Sequence, residues 1–474
     1  MNGYKLITSL VVLMLVFSLM LGACTPPAAT EAPAATEAPA ATEAPAAVVP
    51  TAEAVAVTGN AELDAWGAKV KETLGGTEVT VAAATHPSIE AFKKMTPKFE
   101  ELTGIKVTWD EMEEGQLADK LLLEATSGGS SYDVIMNCPE FSPALMDAGM
   151  LEGLDSWLGD AEKSPAWFNL SDILKAYQDM LSYKGQHVGI PFAGETVFLF
   201  YRKDLFEKNG LRVPATWDEL LQTAKTLKEK EGIAGVTMRT RLGWEATYMW
   251  SVFIFPFGGK IIDFDTNKPA LNSEGTLASL KYMVDLIQYA PEGIEAFSFP
   301  EAWDSFMQGK AAMMVEASAA ASEVENPDKS VVAGKVGYAP LPAGPAGAYS
   351  GVWGWGFSMT AKSEKKDAAW AFITYMTGEA TQADYVANGG VASRTSWLSN
   401  TDNQAKYPYY QATLDTLKQA ADLLSKGLGV VVMDPRWSQI SEIMGTEVAK
   451  ALSGEVTPEK AVENMQTQVA DIWQ

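Results

Sequence analysis

The stretch from Gly189 to Leu227, GIPFAGETVFLFYRKDLFEKNGLRVPATWDELLQTAKTL, constrains the fold more than any other part of the chain. Gly189-Ile190-Pro191 predicts the close of one element, because proline fixes φ and offers no N–H to a ladder. Val197 to Tyr201 is an aromatic and β-branched run of strand length. Asp204 to Asn209, stopped by Gly210, predicts one or two helical turns. Val213 to Trp217 is extended ahead of Pro214 and beyond, and Thr216 with Glu219 predicts a capping box for the next helix. A buried strand feeding straight into capped helices is the grammar of an α/β chain.

The rest of the body agrees. Ala61 to Leu74 predicts an amphipathic helix, Glu78 to Ala84 a strand of small residues, and Glu90 to Thr103 a helix ended by Gly104. Ile105 to Trp109 predicts the next strand, Gln116 to Thr126 a helix, and Ser131 to Met136 a further buried strand. This βαβ opening predicts a mainly parallel sheet. About 400 residues of body exceed one ordinary core and predict two lobes.

Lys5, the apolar run Leu6 to Leu21 and then Leu21-Gly22-Ala23-Cys24 have the order of a secretory leader. A membrane-spanning anchor is the alternative, since the run is nearly long enough. From Thr25 to about Ala56 the chain is Ala, Thr, Glu and Pro, with ATEAPA three times in succession, a composition with nothing to bury. Cys138 is the only other cysteine, in the apolar setting Val134-Ile135-Met136, and is expected to be a buried small hydrophobe. The net charge of −24 argues against nucleic acid and phosphate-rich ligands. Two histidines and no His/Cys cluster predict no metal site and no cofactor.

Glu195 stands six residues before Tyr201, and Tyr201-Arg202-Lys203-Asp204-Leu205 follows. With that spacing the chain resembles the family 1 extracellular solute-binding proteins of carbohydrate ABC importers, whose maltodextrin-binding member has a glutamate facing sugar at this point. The Cys24 context is likewise similar to a bacterial lipobox, which implies a leader over 1–23, an acylated Cys24 and a tether over 24–60. The resemblance implies a two-lobed periplasmic-binding-protein fold of type II character, each lobe a mainly parallel sheet flanked by helices, joined by hinge crossings. It divides the body into 61–194 plus 338–393 and 195–337 plus 394–474.

Residue by residue, the resemblance carries over through TGIKV at Thr103 to Val107 and AGMLEGL at Ala148 to Leu154. These place His86 after the first strand, and Asn137 and Glu140 on the loop after Val134 to Met136. A loop histidine, a turn residue and a surface charge are their plain alternatives. Asn137 stands where the maltodextrin-binding member has tryptophan. Glu111, Glu113 and Glu114 form an acidic patch, of which Glu113 is the pocket candidate. Arg241 and Trp244 lie in Arg239 to Trp244, and Gly243-Trp244-Glu245 is similar to the sorbitol/mannitol-binding branch. Glu316 followed by Ala317-Ser318-Ala319-Ala320 points to the same branch. In Gly351 to Met359, tryptophans and glycines alternate, so Trp353 and Trp355 share a face, with Phe357 expected in the core. Arg394, in Gly389 to Arg394, offers a planar donor fork for vicinal hydroxyls or else a structural ion pair. Trp437 opens a helix as a stacking or core residue. Together these imply capture of a sugar or polyol between lobes by a monomer, and delivery to the permease subunits of an ABC importer from a lipid-anchored, extracytoplasmic position. No enzyme activity is implied. A surface glycoside hydrolase using Glu195 and Glu316 as its carboxylate pair, or a receptor feeding a sensor kinase, are the alternatives.

Overall fold

The computed structural model describes residues 58–473 apart from 130, 264 and 426–430. The expected leader, Cys24 and nearly all of the expected tether lie outside the described residues. Among the described residues no helix is long and apolar enough to cross a membrane.

The first half is laid down by capped helices between short strands. Helix α1 (Ala61–Leu74) starts at Asn60, whose side chain accepts from the N–H groups of Glu62 and Leu63. Strand β1 (Glu78–Ala84) leads into α2 (Pro87–Thr103), which ends at Gly104 with φ 68°, a left-handed turn that a side chain would strain. Strand β2 (Lys106–Met112), α3 (Glu114–Ser127) and β3 (Val134–Asn137) follow. Both β2 and β3 pair with β1 in parallel, with Val79 opposite Val107 and Val81 opposite Val134. The small, apolar end of β1 is buried on both faces, as a strand covered by helices on each side must be.

Strand β4 (Ile190–Arg202) is the spine of the molecule. Pro191 does not close an element, as its sequence context suggests, but sits second in this strand. It lies opposite Gly356 where the neighbouring strand slips register, so its missing N–H interrupts a ladder that is already irregular. Beyond β4 come α4 (Trp217–Glu231), α5 (Trp244–Ile254) and α6 (Glu274–Ile287). The capping box before α4 forms by half: Thr216 Oγ1 accepts from Glu219 N–H at 3.2 Å, while the Glu219 carboxylate turns to Ala215 N–H at 2.8 Å. Strands β5 (Met313–Ala317), β6 (Val336–Pro340) and β7 (Val352–Met359) complete the sheet, followed by α7 (Lys366–Thr377), α8 (Trp437–Leu452) and α9 (Pro458–Trp473).

The order across the sheet is β6-β4-β7-β3-β1-β2, with β5 also paired to β4. Up to Thr196, β4 pairs with β7; from Val197 onward it pairs with β5 and β6. All the partners of β4 are antiparallel, as is β7 against β3, so the sheet is mixed rather than mainly parallel. A strand that runs from one half into the other must be met by strands coming back. The result is an α/β fold of two lobes with Glu195 inside the strand they share. Phe357 belongs to the core, its ring 4.5 Å from that of Phe192. Cys138 is a buried free thiol. Helix α8 lies close on the start of α5, and a Cβ at Gly445 would come within 1.8 Å of the Gly243 carbonyl.

Candidate functional site

The deepest part of the site is built where β1, β4 and β7 end or change partners. His86 caps α2: its Nδ1 accepts from Ser88 N–H at 3.1 Å. The ring proton is therefore on Nε2, which donates to Glu195 Oε1 at 3.0 Å. Both residues are buried, His86 at 5 % and Glu195 at 2 % exposure. Across the ladder Glu195 is paired with Trp353. The Trp353 ring lies 6.3 Å from Trp355 and 6.4 Å from Trp244, nearly parallel to the latter, while Tyr248 meets it edge-on at 5.6 Å. Trp355 in turn packs 6.5 Å from His86 and 6.1 Å from Phe141.

A guanidinium that sequence reasoning passed over completes this inner wall. Arg239 precedes α5, and its Nε and Nη2 donate to the two oxygens of Glu316 at 2.8 and 2.7 Å. Its Nη1 donates to Glu245 at 3.2 Å. The rings of Tyr248 and Phe299 both pack against the cation, each centred 4.4 Å from its central carbon. Glu316 is thus placed behind Arg239, fully buried opposite Phe198 in β4, with the backbone N–H of Ala317 also donating to it. It lines neither of the two pockets at this site, where a direct contact was expected; Arg239 does line the inner one. Glu316 lies behind Arg239 and lines neither pocket, so Glu195 and Glu316 do not face one bond from two sides as a hydrolase carboxylate pair must.

Outside this wall opens a cavity of ≈ 360 Å³. Its rim joins the start of α3 to the start of α5. Glu113 caps α3 by accepting from Gly115 N–H at 3.1 Å, and its other oxygen accepts from Arg241 at 2.6 Å. Glu114, half-buried, lines both the cavity and the inner pocket. Burial pushes its carboxyl well above the usual range; Arg239 opposes this, and Glu245, Glu195 and Glu140 reinforce it. Glu140 is pushed up to about 7 by burial, with the neighbouring Ser441 and Trp437 side chains pulling the other way. Burial also raises Glu245, against the pull of Arg239.

Three expected contacts sit elsewhere. Asn137 is the last residue of β3 rather than a loop residue, and is fully buried. Its Nδ2 donates to Ser142 and Ser358, both at 2.9 Å, which ties the strand end to the following turn and to β7. Arg394 is buried at 1 % exposure and clasps three backbone carbonyls, those of Asn169, Phe168 and Thr377, at 2.7, 2.8 and 2.6 Å. It pins a loop crossing and does not reach the cavity. Trp437 is buried beside Glu140 at the start of α8 and does not line the cavity, whereas Ser438 and Glu442 of that helix do. His86, Glu113, Glu140, Glu195, Arg241, Trp244, Trp353 and Trp355 are brought together around the two pockets. Arg239, Glu114, Glu245, Tyr248 and Phe299 join them from outside the sequence candidates. Alternation in β7 pointed to the tryptophans, but no local pattern marks Arg239 over Arg241.

Chemically the site offers buried carboxylate acceptors, the guanidiniums of Arg239 and Arg241 and several indole faces. Among the described residues no group of three or more His, Cys, Asp or Glu is arranged to hold a metal.

Known proteins share this arrangement of chain. A mannitol-binding protein of Pseudomonas aeruginosa is 29% identical over 419 residues, covering 84% of this chain and 93% of its own. A solved ABC transporter solute-binding protein of Agrobacterium radiobacter, in complex with ribitol, is 28% identical with a TM-score of 0.78, over 84% of this chain and 99% of its own. Another from Agrobacterium vitis, with bound D-mannitol, is 29% identical with a TM-score of 0.76, over 84% and 98% of the two chains. The family model described as bacterial extracellular solute-binding protein matches residues 83–383, well over half of the sequence. With its two lobes, its spanning strand β4 and its cleft, the chain belongs to the bacterial extracellular solute-binding proteins.

Proposed function

We propose that the protein is the substrate-binding lipoprotein of an ABC importer, which captures a sugar or polyol in the cleft between its lobes and hands it to the permease subunits. The observation that carries this reading is the alternation of deeply buried polar groups, His86–Glu195 and Arg239, with the indoles of Trp244, Trp353 and Trp355 around one pocket. Each hydroxyl of a polyhydroxy ligand must find a partner once desolvated, while its C–H face needs an apolar wall. Relatives described as binding mannitol, erythritol or L-threitol, and ribitol support the same ligand class. The lobes are 61–194 plus 338–393 and 195–337 plus 394–474, and closure about the β4 crossing encloses the ligand. Cys24, acylated after removal of 1–23, tethers the monomer outside the membrane through 24–60. The role is binding rather than catalysis.

A thermal-shift screen of the full-length protein against polyols, sugars, amino acids and metal ions tests this. A ligand at 100 times its Kd adds about 2.7 kcal/mol of stability. A shift with a polyol or sugar, lost in Glu195→Gln, is expected. A shift with amino acids alone would overturn the substrate class.

A further inference from the structure

The cleft carries more negative charge than its own cations meet. Arg239 is already taken by Glu316 and Glu245, and Arg241 at the rim by Glu113. Glu114, Glu140 and Glu195 all line the pockets, and among the described residues none of them is in an ion pair with Lys or Arg. Glu195 has the neutral His86 donor, and the groups that pull on Glu140 are the neutral Ser441 and Trp437. A separate observation points to a further polar partner: Tyr248 lines the inner pocket at 4 % exposure, and among the described residues its buried hydroxyl has no hydrogen-bond partner. A neutral polyol supplies hydroxyls to such a site but leaves its surplus charge in place. A cation answers both the unpaired carboxylates, whose attraction is strong where water is excluded, and the indole faces beside them.

We propose that the preferred ligand is a polyhydroxylated amine, an amino-polyol or amino sugar, with its ammonium between Glu114 and Glu140 and its hydroxyls toward Glu195, Arg239 and the Tyr248 hydroxyl. This rests on the polyhydroxy-ligand reading above and adds the charge. Burial pushes the Glu114 and Glu140 carboxyls up, so protons hold part of the charge that an ammonium would balance.

The test is isothermal titration of the full-length protein with D-glucamine and D-sorbitol, which share a carbon skeleton and differ in an ammonium against a hydroxyl at one end. Glucamine should bind about tenfold tighter or better, with the advantage shrinking as salt is raised. Glu114→Gln and Glu140→Gln, separately and together, should bring the ratio of the two affinities toward one. Equal or weaker binding of glucamine, with sorbitol or another neutral polyol still bound, overturns the charge preference and leaves the polyhydroxy reading standing. Binding of neither compound, nor of any sugar or polyol in the thermal screen, overturns both.

Discussion

Replacing Glu316 by Gln keeps the side-chain volume and takes one charge out of the wall behind the cleft. Arg239 and Glu316 are exposed by only 4 % and 0 % at their side chains and share two short hydrogen bonds. In Glu316→Gln the guanidinium keeps its charge and its single 3.2 Å bond to Glu245. Removing one member of a buried pair costs ~3–5 kcal/mol when the other is left alone. With Glu245 retained, about 2–4 kcal/mol is the working figure. Urea unfolding of the full-length protein should show this as a lower midpoint at unchanged slope. The decisive arm is the cycle with Arg239→Gln. If the loss in Glu316→Gln comes from a stranded cation, the double variant should be less destabilised than the sum of the singles by at least ~1.5 kcal/mol. Additivity within ~0.5 kcal/mol would refute the reasoning, because it would mean that the two side chains act independently. Ligand affinity should fall in both single variants, since Glu316 aims the Arg239 fork that lines the inner pocket.

Two further outcomes follow from particular residues. Glu140, pushed up to about 7 by burial, has an unfolded value near ~4.3; between the two the folded state binds the extra proton, so stability should fall by about 3–4 kcal/mol as pH rises through that window and level off above it. Urea midpoints from pH 4 to 8 should lose this slope in Glu140→Gln, and parallel curves would refute it. Arg394→Met takes the donor from two buried carbonyls and one half-buried one and should cost roughly 3 kcal/mol without weakening ligand binding. Denaturation and titration of the same variant check this. A large loss of affinity at unchanged stability would return Arg394 to the cleft.

The elements were legible because their signals are local. The strand over Glu78 to Ala84, the left-handed stop at Gly104 and the Thr216 cap each depend on residues a few positions apart. The alternation in β7 likewise placed Trp353 and Trp355 on the same side as the cleft. Pro191 misled, because a proline is a stop only where the ladder needs its N–H, and here the register slip removes that need.

The roles of charged side chains were decided by partners far away in sequence. Arg239 meets Glu316 across 77 positions, His86 meets Glu195 across 109, and Arg394 meets Phe168 across 226. Local sequence was enough for most of the α/β elements and for the kinds of group available to a ligand, whereas the full strand Ile190–Arg202 shared by the lobes emerged only in the fold. Only packing put Arg239 on the inner pocket with Glu316 behind it, tied Asn137 and Arg394 into the fold, and set Glu114 along both pockets. The physical reason is that a carboxylate or guanidinium is defined by which opposite charge and how little water surround it, and both are set only when distant segments pack together.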